Sequence, residues 1–319
     1  MQPFFFNSLT MNFKLYPDCK LVQGKSRDAI YDLTRNSIYI VPHELSEYID
    51  NDNIVNLSLF PADKREEYVE FLKENELGCF DMPQEIIALS DEYISPAIIS
   101  NAIIDIGEKK LPLHKIAIEL SDLVCESVFL RFMDRFHFDY IASCSKKFIS
   151  QSMRSIEIGL QYEEGIENYI GDLINQIPLC TRIIIVNSPF TKTDEQFVGI
   201  PVRYVQNGYY CVNNQSFDYS VFSNANLSLY IESKRHNNCL NKKIVIDQYG
   251  NIKNCPNLMG TFGNVNDISL YEVVDSEEFL KLWNTTKDNV EKCCDCELRY
   301  ACLHCIFSYN QCSYNVYSN

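Results

Sequence analysis

The stretch CCDCELRYACLHCIFSYNQC, residues 293–312, holds six of the 14 cysteines of the chain. Its spacing is Cys293-x2-Cys296-x5-Cys302-x2-Cys305, followed by Cys312. Two thiolates separated by two residues can turn their sulfurs onto one ion or cluster, because the intervening turn aims backbone N–H groups at the sulfurs and offsets their charge. Upstream, Cys239 and Cys255 flank Ile244, Ile246 and the turn Asp247-Gln248-Tyr249-Gly250-Asn251. That pattern predicts a β-hairpin bringing the two cysteines toward each other at its open end. Residues 236–319 are rich in Asn and Cys and, beyond a helical stretch at Ser276 to Trp283, lack long periodic apolar runs. Such a segment buries little apolar surface by itself, so something must staple it.

The pattern predicts metal or cluster ligation by Cys239, Cys255, Cys293, Cys296, Cys302, Cys305 and Cys312. Seven cysteines suit two polynuclear sites better than one structural zinc, with zinc as the plainer alternative. His236, three residues before Cys239, is an additional candidate ligand because neutral imidazole binds iron; the simpler reading is a surface or hydrogen-bonding histidine. Cys294 and His304 are expected to lie around the ligands or to face solvent. Cys19, Cys79, Cys125, Cys144, Cys180 and Cys211 are scattered singly, mostly in apolar segments, as small buried hydrophobes are.

The other 235 or so residues read as ordinary globular protein. A chain of 319 residues with 46% hydrophobic content should divide into two or three units. Its net charge of -15 disfavours non-specific binding to nucleic acid or anionic lipid and favours a protein or peptide partner. No apolar run approaches the roughly 20 residues of a membrane-spanning helix, and Met1 to Phe13 lacks the basic region and cleavage site of a secretory signal. A cytoplasmic location is expected.

Residues 11–83 begin with short β-type runs at Phe13 to Tyr16, Ala29 to Leu33 and Ser37 to Val41. Arg35-Asn36 makes the last two a hairpin. Pro42 stops the strand, a short helix is expected at His43 to Ile49, and a longer one at Ala62 to Glu76, with Tyr68, Phe71 and Leu72 on one face and Gly78 ending it. Residues 84–233 alternate strand-like runs (Ile98 to Ile106, Ser127 to Phe132, Ile156 to Tyr162, Arg182 to Asn187, Val202 to Val205, Leu227 to Ile231) with helical patterns such as Ile166, Tyr169, Ile170, Leu173 and Leu113, Ile116, Ala117, Leu120. This order builds parallel sheets by right-handed crossovers, so an α/β class follows, as a partial (β/α) barrel or an open sheet.

The full pattern Cys239-x10-Gly250-x4-Cys255, Cys293-x2-Cys296-x5-Cys302-x2-Cys305, Cys312 resembles the SPASM domain of peptide-modifying radical SAM enzymes, which carries auxiliary [4Fe-4S] clusters. The last pair departs from that family, being spaced by two residues where three are usual. The resemblance implies one cluster on Cys239, Cys255 and Cys305, with a position open or otherwise filled, and a second on Cys293, Cys296, Cys302 and Cys312. The chain contains no C-x3-C-x2-C triplet, and the loop after Ile98 to Ile106 reads Gly107-Glu108-Lys109-Lys110-Leu111-Pro112, so no cleavage of S-adenosylmethionine is expected.

That combination is similar to the SPASM-domain peptide maturases of "grasp-with-SPASM" systems, over nearly the whole chain. The likeness includes Asp18 to Leu33 (DCKLVQGKSRDAIYDL), His236-Asn237-x-Cys239, Ile252-Lys253-Asn254-Cys255-Pro256, Phe262-Gly263-Asn264 and Cys296-Glu297-x-Arg299-Tyr300-x-Cys302. It implies a winged-helix-like RiPP recognition element at 11–83, a degenerate radical-SAM-like partial barrel at 84–233 and a SPASM iron–sulfur domain at 236–319. The recognition element would take a precursor leader as an added strand, at the runs around Ile30 and Ile38 and the helix at Tyr68 to Leu72. The function implied is peptide maturation with an ATP-grasp ligase as partner. The alternatives are a cluster-dependent peptide-modifying enzyme in its own right and a zinc-stapled interaction scaffold. No Ser/His/Asp set, phosphate loop of the G-x4-G-K-[ST] type or H-E-x2-H motif occurs.

Overall fold

The computed structural model of the chain describes residues 13–83, 86, 90, 92–197, 199–209 and 225–303. Cys211, His304, Cys305 and Cys312, and the reading made of residues 1–12, lie outside the described residues. Those described within Met1–Tyr93, Ser216–Asn238 and Thr285–Asn319 form one compact unit, and those within Ile94–Gln215 and Cys239–Asn284 form another. The C-terminal stretch expected as one module is therefore shared between the two.

The first unit opens with β1 (Phe13–Leu15), β2 (Cys19–Val22), β3 (Arg27–Asp32), β4 (Ser37–Pro42), α1 (His43–Ser46), β5 (Ile54–Val55), α2 (Arg65–Glu74) and β6 (Gly78–Phe80). These make two three-stranded antiparallel sheets, ordered β5-β1-β6 and β2-β3-β4. The β3–β4 hairpin forms where Asn36 adopts a left-handed backbone (φ 55°), which its short polar side chain tolerates. Because β3 is paired on both sides, the Ile30 run cannot accept an added strand; β4 is the edge on that side among the described residues. Phe13, Leu15, Ile30, Leu45, Leu72 and Leu77 fill the core, and each such side chain contributes about 1.5–3 kcal/mol by leaving water. Gly78 does not end α2. Glu76 (φ 49°) turns the chain out of the helix, and Gly78 is already in β6, where a Cβ would meet the Lys14 carbonyl.

The chain continues through β7 (Asn101–Ile106), α3 (Leu113–Asp122), β8 (Ser127–Phe132), α4 (Phe138–Lys146), β9 (Ser155–Gln161), α5 (Glu167–Gln176), β10 (Cys180–Val186), β11 (Lys192–Asp194), β12 (Val202–Tyr204), α6 (Leu227–Arg235), β13 (Lys243–Ile246), β14 (Ile252–Lys253), α7 (Leu270–Val274) and α8 (Glu277–Trp283). The run Leu227 to Ile231 is helix, not strand. Five apolar-rich residues read equally well either way, and Asn226 decides it by accepting the Leu229 N–H at 2.8 Å as N-cap, with Lys234 and Arg235 suited to the last turn. Helix α6 belongs to the first unit, where Tyr230 and Ile231 cluster with Tyr31 and Tyr300.

The second unit is an eight-stranded, mostly parallel sheet ordered β11-β12-β10-β9-β8-β7-β13-β14, so the protein is mixed α/β. Strands β7 to β10 follow one another in register, and right-handed crossovers that advance in one direction stack α3, α4 and α5 on one face. Ile104, Leu130, Ile158 and Ile183 cluster there with Ile116, Ile141 and Ile170. The terminal strands β11 and β14 do not pair with each other, which leaves the sheet open among the described residues. Strand β13 lies parallel to β7, so the hairpin read as part of a metal-stapled segment is held by the sheet, and α7 and α8 add Leu270, Val273, Phe279 and Trp283 to the same core.

Off that core, Asp105 and Arg131 are register partners on β7 and β8 and form a buried two-pronged ion pair, at 2.6 and 2.8 Å. The Tyr209 ring stands 5.3 Å from the guanidinium. Removing one member strands the other charge, so Arg131→Met should cost about 3–5 kcal/mol in chemical denaturation. A loss within experimental error would refute that.

Candidate metal centre

Residues 290–302 fold as consecutive turns. The Cys294 N–H donates to Val290 O (3.0 Å), Cys296 N–H to Cys293 O (3.0 Å), Arg299 N–H to Cys296 O (3.2 Å) and Ala301 N–H to Leu298 O (3.1 Å). Within this segment Cys296 and Cys302 are buried, Cys293 half-buried and Cys294 exposed. No disulfide joins any two of the described cysteines.

The N-terminal sheet holds this segment. Arg27 Nε lies 2.6 Å from Glu297 Oε1, the Tyr31 hydroxyl donates to Glu297 O at 3.0 Å, and Arg299 donates from one nitrogen to both Gln23 O (2.7 Å) and Cys296 O (2.9 Å). The Lys25 N–H donates to Asp295 O at 2.9 Å. Glu297 is 1% exposed, so its carboxylate depends on Arg27 for charge and hydrogen bonding. Burial pushes the Tyr31 hydroxyl well above its ordinary value, which keeps it a donor. The approach is close enough to require Gly24: a Cβ there would stand 2.4 Å from Arg27 O and 3.0 Å from Glu297 N. Buried Asp28 braces the loop by accepting the Gly24 N–H at 2.8 Å while also meeting His43 and Ser46.

A second brace comes from Lys287. Its ammonium donates to Cys302 O at 2.6 Å and to Asn238 Oδ1 at 2.8 Å, and Asn238 Nδ2 donates to Cys302 O at 2.8 Å. Asp288 beside it accepts from Arg299 Nε (2.7 Å) and from the Tyr300 hydroxyl (2.9 Å).

Cys239 and Cys255 belong to the other unit. The expected hairpin is present, with Val245 opposite Lys253 and Ile246 opposite Ile252, and Gly250 sits in its turn at φ 88°. The Phe262-Gly263-Asn264 motif runs alongside it: Phe262 N–H donates to Ile252 O, Ile252 N–H to Gly263 O and Val265 N–H to Gly250 O, at 2.8–2.9 Å. Cys255 is buried in the core of the sheet, and Cys239 packs against it. His236 ends α6 and lies 5.4 Å from the Tyr93 ring, whose hydroxyl donates to Glu232.

Among the described residues no three His, Cys, Asp or Glu side chains gather into a set that could hold a metal ion. Cys293, Cys296 and Cys302 lie on one braced, turn-rich segment, but the described structure does not bring them together as a ligand set. The braces Arg27, Glu297, Lys287 and Asn238 were missed by the reading of cysteine spacing. Arg27 and Glu297 lie inside the two longest quoted motifs, but nothing in either motif announces that it touches the other. No family model and no curated protein matches this chain.

The scattered cysteines Cys19, Cys125 and Cys180 are buried, and burial pushes their thiols up to about 12, about 12 and about 11. They should resist alkylation in the native chain near pH 8, where an ordinary thiol reacts, and react fully in denaturant. Since these values lie above the ordinary 9.0, their contribution to stability is complete below pH 9.0 and is lost as pH rises from there through about 12. Labelling of all three in the native chain would contradict this. Glu297→Gln removes the charge partner of the half-exposed Arg27. It should cost about 1 kcal/mol and speed proteolytic cleavage within 293–302; an unchanged cleavage rate would show that the clamp does not hold the segment.

Proposed function

We propose that this protein acts in the maturation of a ribosomally made peptide in the cytoplasm, binding the precursor leader through its first unit and working with an ATP-grasp ligase, without cleaving S-adenosylmethionine. On this reading the N-terminal sheets and α2 are a winged-helix-like recognition element. The parallel sheet is a degenerate radical-SAM-like partial barrel, and the cysteine-bearing segments form a SPASM domain. Cys239, Cys255, Cys293, Cys296, Cys302, Cys305 and Cys312 would hold one or two [4Fe-4S] clusters. When bound, such a cluster supplies Lewis-acid or redox chemistry at any open ligand position.

The observation that carries the reading is the clamp of Arg27, Tyr31 and Gln23 onto Glu297 and Arg299. It joins the sheet that would capture a leader to the segment that would carry metal, within one unit. A leader docked on this sheet delivers its core peptide near Cys293 to Cys302. The edge of β4 suits the leader: Ile40 is 42% exposed, and the Tyr39 ring meets Phe71 of α2 edge-on at 6.2 Å. An added strand hydrogen-bonds such an edge, while apolar neighbours select its side chains.

Anaerobic purification followed by iron, sulfide and zinc analysis tests the metal. About eight iron and eight sulfide per chain is the content of two [4Fe-4S] clusters, whereas zinc without sulfide overturns the reading. Leader binding is tested by fluorescence polarisation with the precursor encoded beside the ligase. Ile40→Asp should weaken it about tenfold, a loss of roughly 1.4 kcal/mol, with metal content unchanged. A precursor that does not bind the wild-type chain ends the proposal.

A further inference from the structure

A cavity of about 650 Å³ opens beside β6 in the first unit, within the size range of sites that take a small molecule or a peptide side chain. Buried Phe13 and Cys19 line its inner part, and Tyr16 and Phe80 add aromatic wall, the Phe13 and Phe80 rings meeting edge-on at 5.2 Å. Exposed Lys73 and Glu76, from the end of α2 and the turn after it, stand at the mouth. Asp18, Asp32 and Glu76 outnumber Arg35 and Lys73 in the lining, and Arg35 is already held between Asp32 (2.6 Å) and Glu76 (2.5 Å). Strand β6 ends its sheet, paired with β1 alone among the described residues. A terminal strand presents N–H and C=O groups to which an incoming strand can bond.

The charge around this cavity is one-sided. Residues 1–93 hold 17 Asp and Glu against 8 Lys and Arg, a net -9 of the chain's -15 in less than a third of its length. Glu66, Glu67, Glu70 and Glu74 lie exposed on α2, and Asp81 lies exposed directly after β6. Such a field repels acidic chains and draws basic ones. An apolar, aromatic interior under an acidic rim also matches lysine and arginine, whose alkyl stems pack on apolar and ring surfaces while their heads stay at a polar edge. We propose that the cavity beside β6 docks an extended, basic peptide segment, which pairs with β6 and sets a lysine or arginine side chain into the cavity. Phe13, Tyr16 and Phe80 flank the stem, and Glu76 and Asp18 receive the charged head. This surface is distinct from the β4 edge and does not depend on a leader binding there.

The probe is the peptide Ser-Thr-Val-Lys-Val-Thr-Ser, labelled with an uncharged fluorophore, titrated against the full chain and followed by polarisation. It should bind with a Kd below roughly 1 mM. Replacing its lysine with norleucine keeps the stem, removes the charge and should weaken binding about fivefold. Methylating its backbone nitrogens prevents strand pairing and should abolish binding. Cys79→Phe fills the cavity and should also abolish it. Glu76→Gln should weaken it about fivefold, and this variant decides the matter should C79F fail to fold. Ile40→Asp alters only the β4 edge and should leave binding unchanged. The proposal is overturned by a wild-type chain that does not bind the peptide, or by a norleucine or methylated peptide that binds as well as the original. Binding that survives C79F, with that variant folded, or E76Q unweakened overturns it too, and loss in I40D instead would assign the peptide to β4.

Discussion

Glu297 is a carboxylate with almost no access to water, and it is tolerable there because Arg27 reaches it from β3. That constraint organises the first unit. A buried carboxylate needs a partner in place, and Arg27 ties the turns of residues 290–302 to the sheet of β2, β3 and β4. Tyr31 fixes the Glu297 backbone, Arg299 ties Gln23 to Cys296, and Gly24 lets the two backbones approach. Segments about 270 residues apart in sequence thus become one structural element.

The second unit rests on a different principle. Its parallel strands are buried on the helix side by branched aliphatic residues in register, and Asp105–Arg131 is a buried ion pair within it. Strand β13 enters beside β7, which gives an Asn- and Cys-rich stretch its apolar support: Ile244, Ile246, Leu270, Phe279 and Trp283 join the core of the sheet. Residues 285–303 are instead braced largely by hydrogen bonds and ion pairs, with Tyr300 and Ala301 supplying a small apolar contact. The candidate ligands Cys293, Cys296 and Cys302 lie in that stretch.

Where regular elements were concerned, much was legible in residue pattern. Strand β8 runs over Ser127–Phe132 as its apolar run indicates, α3 and α5 follow their helical spacing, and the β13–β14 hairpin forms around Asp247 to Asn251. Two readings failed for local reasons. Leu227 to Ile231 is too short for periodicity to separate strand from helix, and the cap at Asn226 decided it. Helix α2 ends at Glu74, and the chain turns out of it at Glu76, a residue with no glycine-like freedom to advertise the turn. Helix α4 carries no clear helical period in the sequence, its apolar positions being interrupted by Asp139, Ser143 and Ser145.

By itself the sequence determined the α/β class, the order of most strands and helices, and a density of thiols that asks for an explanation, because these depend on spacing along the chain. Only the tertiary structure decided that the described residues of 236–303 are divided between two units, that β3 is paired on both sides while β4 is an edge among the described residues, and that Arg27 and Lys287 brace the cysteine segment. Those facts depend on which surfaces meet. A salt bridge between residues 27 and 297, or a buried ammonium on a cysteine carbonyl, leaves no periodic trace in either partner's neighbourhood, since each residue type is also common on solvated surfaces.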